Sequence, residues 1–75
     1  MEHVTIKFPE IREVMIDGEL IGKTNTTLRV EEGAHTFSLD GASDYQPISR
    51  TMIVAGTTPV VPQEVIFAKA PTAAL

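Results

Sequence analysis

The stretch VMIDGELIGK, Val14 to Lys23, decides how the chain reads. A short apolar run stops at Asp17-Gly18, restarts at Leu20-Ile21 and stops again at Gly22. Asp-Gly between alternating hydrophobic residues is a strong local signal for a hairpin, because a tight primed turn needs positive φ, which glycine adopts without steric cost. The chain is therefore read as β from its first third. Gly18 is expected to need that conformation, whereas Gly41 is read as part of a longer, adjustable loop.

Outward from this hairpin the same period of two recurs. His3 to Phe8 alternates Val4, Ile6 and Phe8 against His3, Thr5 and Lys7, until Pro9 removes a ladder donor. Glu13–Ile16 and Glu19–Ile21 flank the turn, and Thr26–Val30 follows with Leu28 and Val30 on one face. After the turn Glu31-Glu32-Gly33 comes the clearest alternation, with His35, Phe37 and Leu39 in phase. Asp40 to Pro47 clusters turn formers and reads as a loop. A sixth strand is expected over Ile48–Ala55, with Ile48, Met52 and Val54 in phase. Arg50 shares that phase, so its head snorkels out or a bulge shifts the register. The last strand is expected over Val60–Ala68, its first part confined to an edge by Pro62. Short strands of this kind, each with one apolar face, predict an all-β fold: a small antiparallel β-sandwich of about seven short strands. The expected core is Val4, Ile6, Val14, Ile16, Leu28, Val30, Phe37, Leu39, Val54, Val65 and Phe67. The domain is expected over residues 3–68, with 69–75 as a flexible C-terminal tail.

Composition narrows the function. The 75 residues are one domain, and a chain of this size buries only about 60% of its unfolded surface, so single core contacts matter. The lack of cysteine removes disulfides, thiolate metal sites and thiol nucleophiles. A net charge of −4, from 6 basic and 10 acidic residues, argues against a nucleic-acid surface. No run approaches the roughly 18 apolar residues that cross a bilayer, and the first ten residues lack the pattern of a signal peptide. The chain as given is thus expected to be soluble and not membrane-inserted.

The order of several of these residues resembles a known family. Pro9-Glu10, Val14, Ile16-Asp17-Gly18, Gly22, Thr24, Leu28, Val30, Gly33, His35, Phe37, Leu39, Tyr45 and Pro47 are similar to the pattern of the PEGA domain. Ile11-Arg12 stands where that family has Gly-Ala, and Asn25 where it has proline; both lie in turns. The resemblance implies a β-sandwich akin to transthyretin-like and carboxypeptidase-regulatory-like modules. It also implies a non-catalytic accessory domain of a cell-envelope or surface protein, an inference from kinship and not from a site.

The chemistry-bearing residues support no catalytic, cofactor or metal site. His35 follows a turn glycine and is expected to be structural, its ring at the core boundary satisfying a backbone carbonyl. His3 has no ligand spacing to it. The acidic turns, Glu31-Glu32 and Asp40 to Asp44, lack the Asp-x-Asp-x-Asp-Gly register of a calcium loop, and Asp17 and Asp40 are read as acceptors within their own turns. No hydroxyl has a nucleophile elbow or a base, so no enzyme activity is expected. The expected function is an interaction module for a protein partner or for other domains of its parent chain. Contact is expected through an edge strand, through which homo-oligomers could also form, or through loops carrying Tyr45, Thr24, Asn25 and Thr26. The alternative is a ligand-binding accessory domain for carbohydrate or a cation, using the acidic turns and Tyr45. Tyr45 has a second reading as a hydroxyl that pins a loop corner.

Overall fold

The structure is a computed structural model that describes residues 1–41 and 44–70. Among these residues the chain forms strands and no helix: β1 (Glu2–Lys7), β2 (Glu13–Ile16), β3 (Glu19–Lys23), β4 (Thr27–Val30), β5 (Gly33–Leu39), β6 (Tyr45–Gln46), β7 (Arg50–Val54), β8 (Gln63–Ile66) and β9 (Ala68–Lys69). One sheet runs β4-β1-β8, a second β3-β2-β5-β7, and a two-stranded ribbon pairs β6 with β9. The architecture is the small all-β sandwich that the alternation predicts. One ladder departs from antiparallel pairing. The segment after β7 crosses to the other sheet, and β8 enters it parallel to β1, with Ile6 opposite Val65.

The hairpin at Asp17-Gly18 is a two-residue turn with φ of 54° and 85°, the sign pattern of a primed turn. A Cβ built on Gly18 would meet nothing, so backbone conformation alone selects glycine there. Gly41 also has positive φ, 95°, and a Cβ on it would press against the Arg12 guanidinium. Gly41 is consequently less free to change than its place in a loop suggests. At Gly22 the backbone is not in the positive-φ region, and a Cβ there would push on the end of the Leu28 side chain of the facing sheet, which must turn aside to admit it.

The core contains every expected residue except Leu28, which is half-buried and packs on its flank. Phe8, Tyr45, Thr5 and Thr24 are buried as well. Two strands are shorter than expected. Ile48 is 61% exposed and outside β7, because the hydroxyl of Tyr45 takes its carbonyl and Pro47, joined to Gln46 by a cis bond, offers no amide hydrogen. Val60 and Val61 are exposed, since Thr58 and Val61 exchange backbone hydrogen bonds of 3.1 Å and close a loop ahead of Pro62. The ladder then breaks at Phe67 and resumes in β9, so pairing runs to Lys69, and the Ala70 amide donates to Asp44 O at 2.8 Å. The remaining residues of the expected tail, 71–75, lie outside the described residues. Arg50 keeps its place in the β5–β7 register opposite Phe37, and its guanidinium reaches the Ile66 carbonyl at 3.3 Å. Snorkelling, not a bulge, resolves its phase.

Candidate functional site

Thr24 and Asn25 form a clasp on the link between β1 and β2. The Thr24 hydroxyl accepts the Arg12 amide at 2.8 Å and donates to Glu10 O at 2.7 Å, and the Thr24 amide donates to Arg12 O at 2.8 Å. Asn25 has φ of 63°, its amide donates to Ile6 O at 2.7 Å, and its side-chain amide bonds both the N–H and the C=O of Phe8. Proline could adopt neither that φ nor that donor role, so the departure from the PEGA pattern at Asn25 has a definite structural use. Thr24 has no exposed surface, and the polar atoms of Asn25 are engaged within the chain. Thr26 is exposed, its hydroxyl donating to Lys23 O.

Tyr45 is 5% exposed, with its ring edge-on to Phe8 and Phe67 at centroid distances of 6.3 and 5.5 Å. Its hydroxyl accepts the Leu39 amide at 3.1 Å and has two carbonyls in reach of its proton, Leu39 O at 3.0 Å and Ile48 O at 3.1 Å. It pins a corner. Arg12 covers this cluster, 5.7 Å from the centroids of both Phe8 and Tyr45. It donates to Asp40 O and, through Nη1, to the Asp44 carboxylate at 2.7 Å, holding that carboxyl below its ordinary range. Sequence reasoning registered Arg12 only as a departure from a family pattern.

His35 lies beside an open cavity of about 270 Å³ lined by Ile16, Asp17, Glu19, Ile21, Arg29, Val30 and Glu31. Its Nδ1 is 2.6 Å from Asp17 Oδ2 and its Nε2 2.6 Å from Glu31 O. The carbonyl partner is the kind the sequence suggested. Asp17, by contrast, does not serve its own turn: its other oxygen accepts the Thr36 amide of β5 at 2.9 Å. These bonds, Asp17 first and Glu31 second, raise the imidazole above its ordinary value, while the Thr36 amide and His35 lower the Asp17 carboxyl. Among the described residues no group of three or more potential ligands could hold a metal ion, and no helix is long and apolar enough to cross a membrane.

The sheet edges differ in how far they are blunted. β3 carries Glu19 and Lys23 at its ends and faces a register shift at Val14/Met15, a bulge that twists an edge away. β4 presents Arg29, and β8 presents Glu64 just after Pro62. β7 pairs with β5 in unbroken register, and beyond Arg50 it has no charge. Its outward residues are Thr51 and Ile53, and Ile53 is 75% exposed on the same face as Ala34. An isoleucine out of phase with Met52 and Val54 signals an apolar residue on the outer face of this strand, though not that the strand is an edge.

The fold and its pinned corners define a small β-sandwich module. Among known families, the PEGA domain matches residues 8–64, and the chain belongs to that family. Its members are generally non-enzymatic accessory domains. No curated protein matches the chain significantly. No solved structure does either.

Proposed function

We propose that the chain is an accessory module that makes protein contacts by accepting a partner strand on the open edge of β7. The observation that carries this reading is the contrast among the edges of the two larger sheets: β3 faces a bulge, β4 carries Arg29, β8 carries Glu64 behind Pro62, and β7, with no described strand on its outer side, is uncharged beyond Arg50 and exposes Ile53. An unpaired row of amides and carbonyls of this kind is a template for strand addition, with alternate side chains setting specificity. The partner is another protein, another domain of a parent chain or a second copy of this one. A cell-envelope or surface setting is part of the proposal and rests on family kinship.

The carbohydrate or cation reading draws less support. The Tyr45 ring is turned into the core, and the carboxylates of Asp17 and Asp44 already serve His35, Thr36 and Arg12. Titrating the labelled chain with calcium and with cell-wall sugars tests the choice by NMR. Unmoved amide resonances are expected, whereas localised, saturable shifts around Tyr45 or the acidic turns would favour ligand binding over strand addition.

A further inference from the structure

His35 contacts two acceptors at once. A carbonyl oxygen cannot donate and neither can an ionised carboxylate, so both 2.6 Å contacts are hydrogen bonds only when both ring nitrogens carry a proton. The neutral ring has one. Its two partners are not equal. Asp17 is charged and anchored to β5 twice, by the Thr36 amide at its Oδ1 and by its own amide on Thr36 O at 2.8 Å. Glu31 belongs to the short link, residues 31–32, by which the chain crosses from β4 in one sheet to β5 in the other. A proton shared between a carboxylate and a neutral carbonyl stays with the charged acceptor. The proton that leaves is therefore the one on Nε2, and its departure turns a lone pair toward the Glu31 oxygen at a separation that only a hydrogen bond tolerates.

We propose that His35 is a proton-operated latch between the two sheets, its imidazolium tying the link at residues 31–32 to the β2–β3 turn and its neutral form letting that link go. The link carries Glu31 and adjoins Arg29 and Val30, all lining the cavity, so its release widens the cavity's mouth. The charged groups around the ring are Asp17 from the turn, Glu19 from β3, Arg29 from β4 and Glu31 from the link; β7 contributes the uncharged Met52 directly opposite. The charges of Asp17 and Glu31 favour the imidazolium, in the same direction as the two hydrogen bonds. The latch is closed on the acid side of the ordinary histidine value and opens as pH rises beyond it.

Ring-nitrogen NMR of the isotopically labelled chain across neutral and alkaline pH tests this. Assignment of His35 against His3 comes from the His35→Gln variant. The expected result is a midpoint above 6.5, the unperturbed value, followed by a neutral form that keeps its proton on Nδ1, the tautomer that free imidazole side chains disfavour. Amide exchange at Glu31 and Glu32 should accelerate through that midpoint beyond the rise that base catalysis gives, while the Thr36 amide keeps its protection. A midpoint at or below the unperturbed value, a neutral form protonated on Nε2, or exchange at residues 31–32 that tracks Thr36 would each overturn the latch. In Asp17→Asn the midpoint should fall and the remaining proton should move to Nε2, because the carbonyl then competes only with a neutral amide. An unchanged tautomer would contradict the assignment. Should that variant fail to fold, the tautomer and midpoint of the parent chain still decide.

Discussion

Replacing Thr24 by valine removes one hydroxyl and almost no volume, and so isolates the clasp between the β1–β2 link and the β3–β4 turn. The Thr24 oxygen makes two bonds, from the Arg12 amide and to the Glu10 carbonyl, at a residue with no exposed surface. Leaving a buried donor or acceptor unpaired costs about 1–3 kcal/mol per group. The Arg12 amide faces the buried side chain and bears the full penalty, whereas Glu10 is exposed and its carbonyl is partly rehydrated. The sum is about 2–4 kcal/mol, a large share of the stability of a domain this small. At roughly 4–8 °C per kcal/mol for a chain of this length, the melting temperature should fall by about 8–32 °C. Thr26→Val is the matched control, losing only an exposed bond to Lys23 O, and should stay within about 0.5 kcal/mol of the parent. Thermal and urea denaturation of both variants by circular dichroism measures the difference. Equal melting temperatures for the two would refute the claim that the Thr24 hydroxyl organises the link.

Gly18→Val should cost about 1–3 kcal/mol from backbone strain alone, and Gly41→Val a comparable amount because it too has positive φ; urea midpoints compare them. A variant at Gly41 that melts like the parent would remove the strain argument there. His35→Gln keeps one acceptor satisfied at most, so its melting temperature should fall below the parent's at acid to neutral pH and converge with it in alkali. The sign follows from linkage: a raised imidazole pKa supplies stability that is complete below the unperturbed 6.5 and fades as pH climbs through the folded value. The lowered carboxyls of Asp17, Asp44 and Glu2 act oppositely, their contribution complete above the unperturbed values of 3.8 and 4.5 and lost as pH falls through the folded ones. The melting temperature should therefore be highest between 4.5 and 6.5; a maximum in alkali would contradict the His35 assignment, and a maximum below 3.8 the carboxylate one.

The strands with strict alternation were legible because a half-buried sheet imposes a period of two on side chains. β1, β2 and β5 lie where Val4, Ile6, Val14, Ile16, Phe37 and Leu39 put them. What the pattern could not carry was polar and long-range. Thr24 is as buried as any valine because backbone groups from residues 10 and 12 satisfy its hydroxyl, and nothing local announces partners so far back along the chain. Tyr45 reads as a loop residue from sequence, since two-residue strands such as β6 have no period to detect, and its hydroxyl pins a corner instead of facing solvent. Val60 and Val61 show the reverse error, where apolar composition suggested a strand and a loop closed by Thr58 left them in solvent. The β7 edge was half legible: its strand was expected, but whether it lies at the rim of a sheet depends on sheet order, which alternation does not encode.

The most direct test of strand addition is a photo-crosslinking scan in the cells that make the protein. A photoreactive side chain is placed singly at Thr51 and Ile53 on β7, and at Leu20, Thr26, Ile48 and Glu64 on the other edges and loops, all of them exposed. Protein adducts should form from Thr51 and Ile53, and the adduct from Thr51 should be suppressed when Met52 is replaced by proline. Adducts confined to Leu20, Thr26, Ile48 or Glu64, with none from β7, would contradict the assignment of this edge as the contact surface.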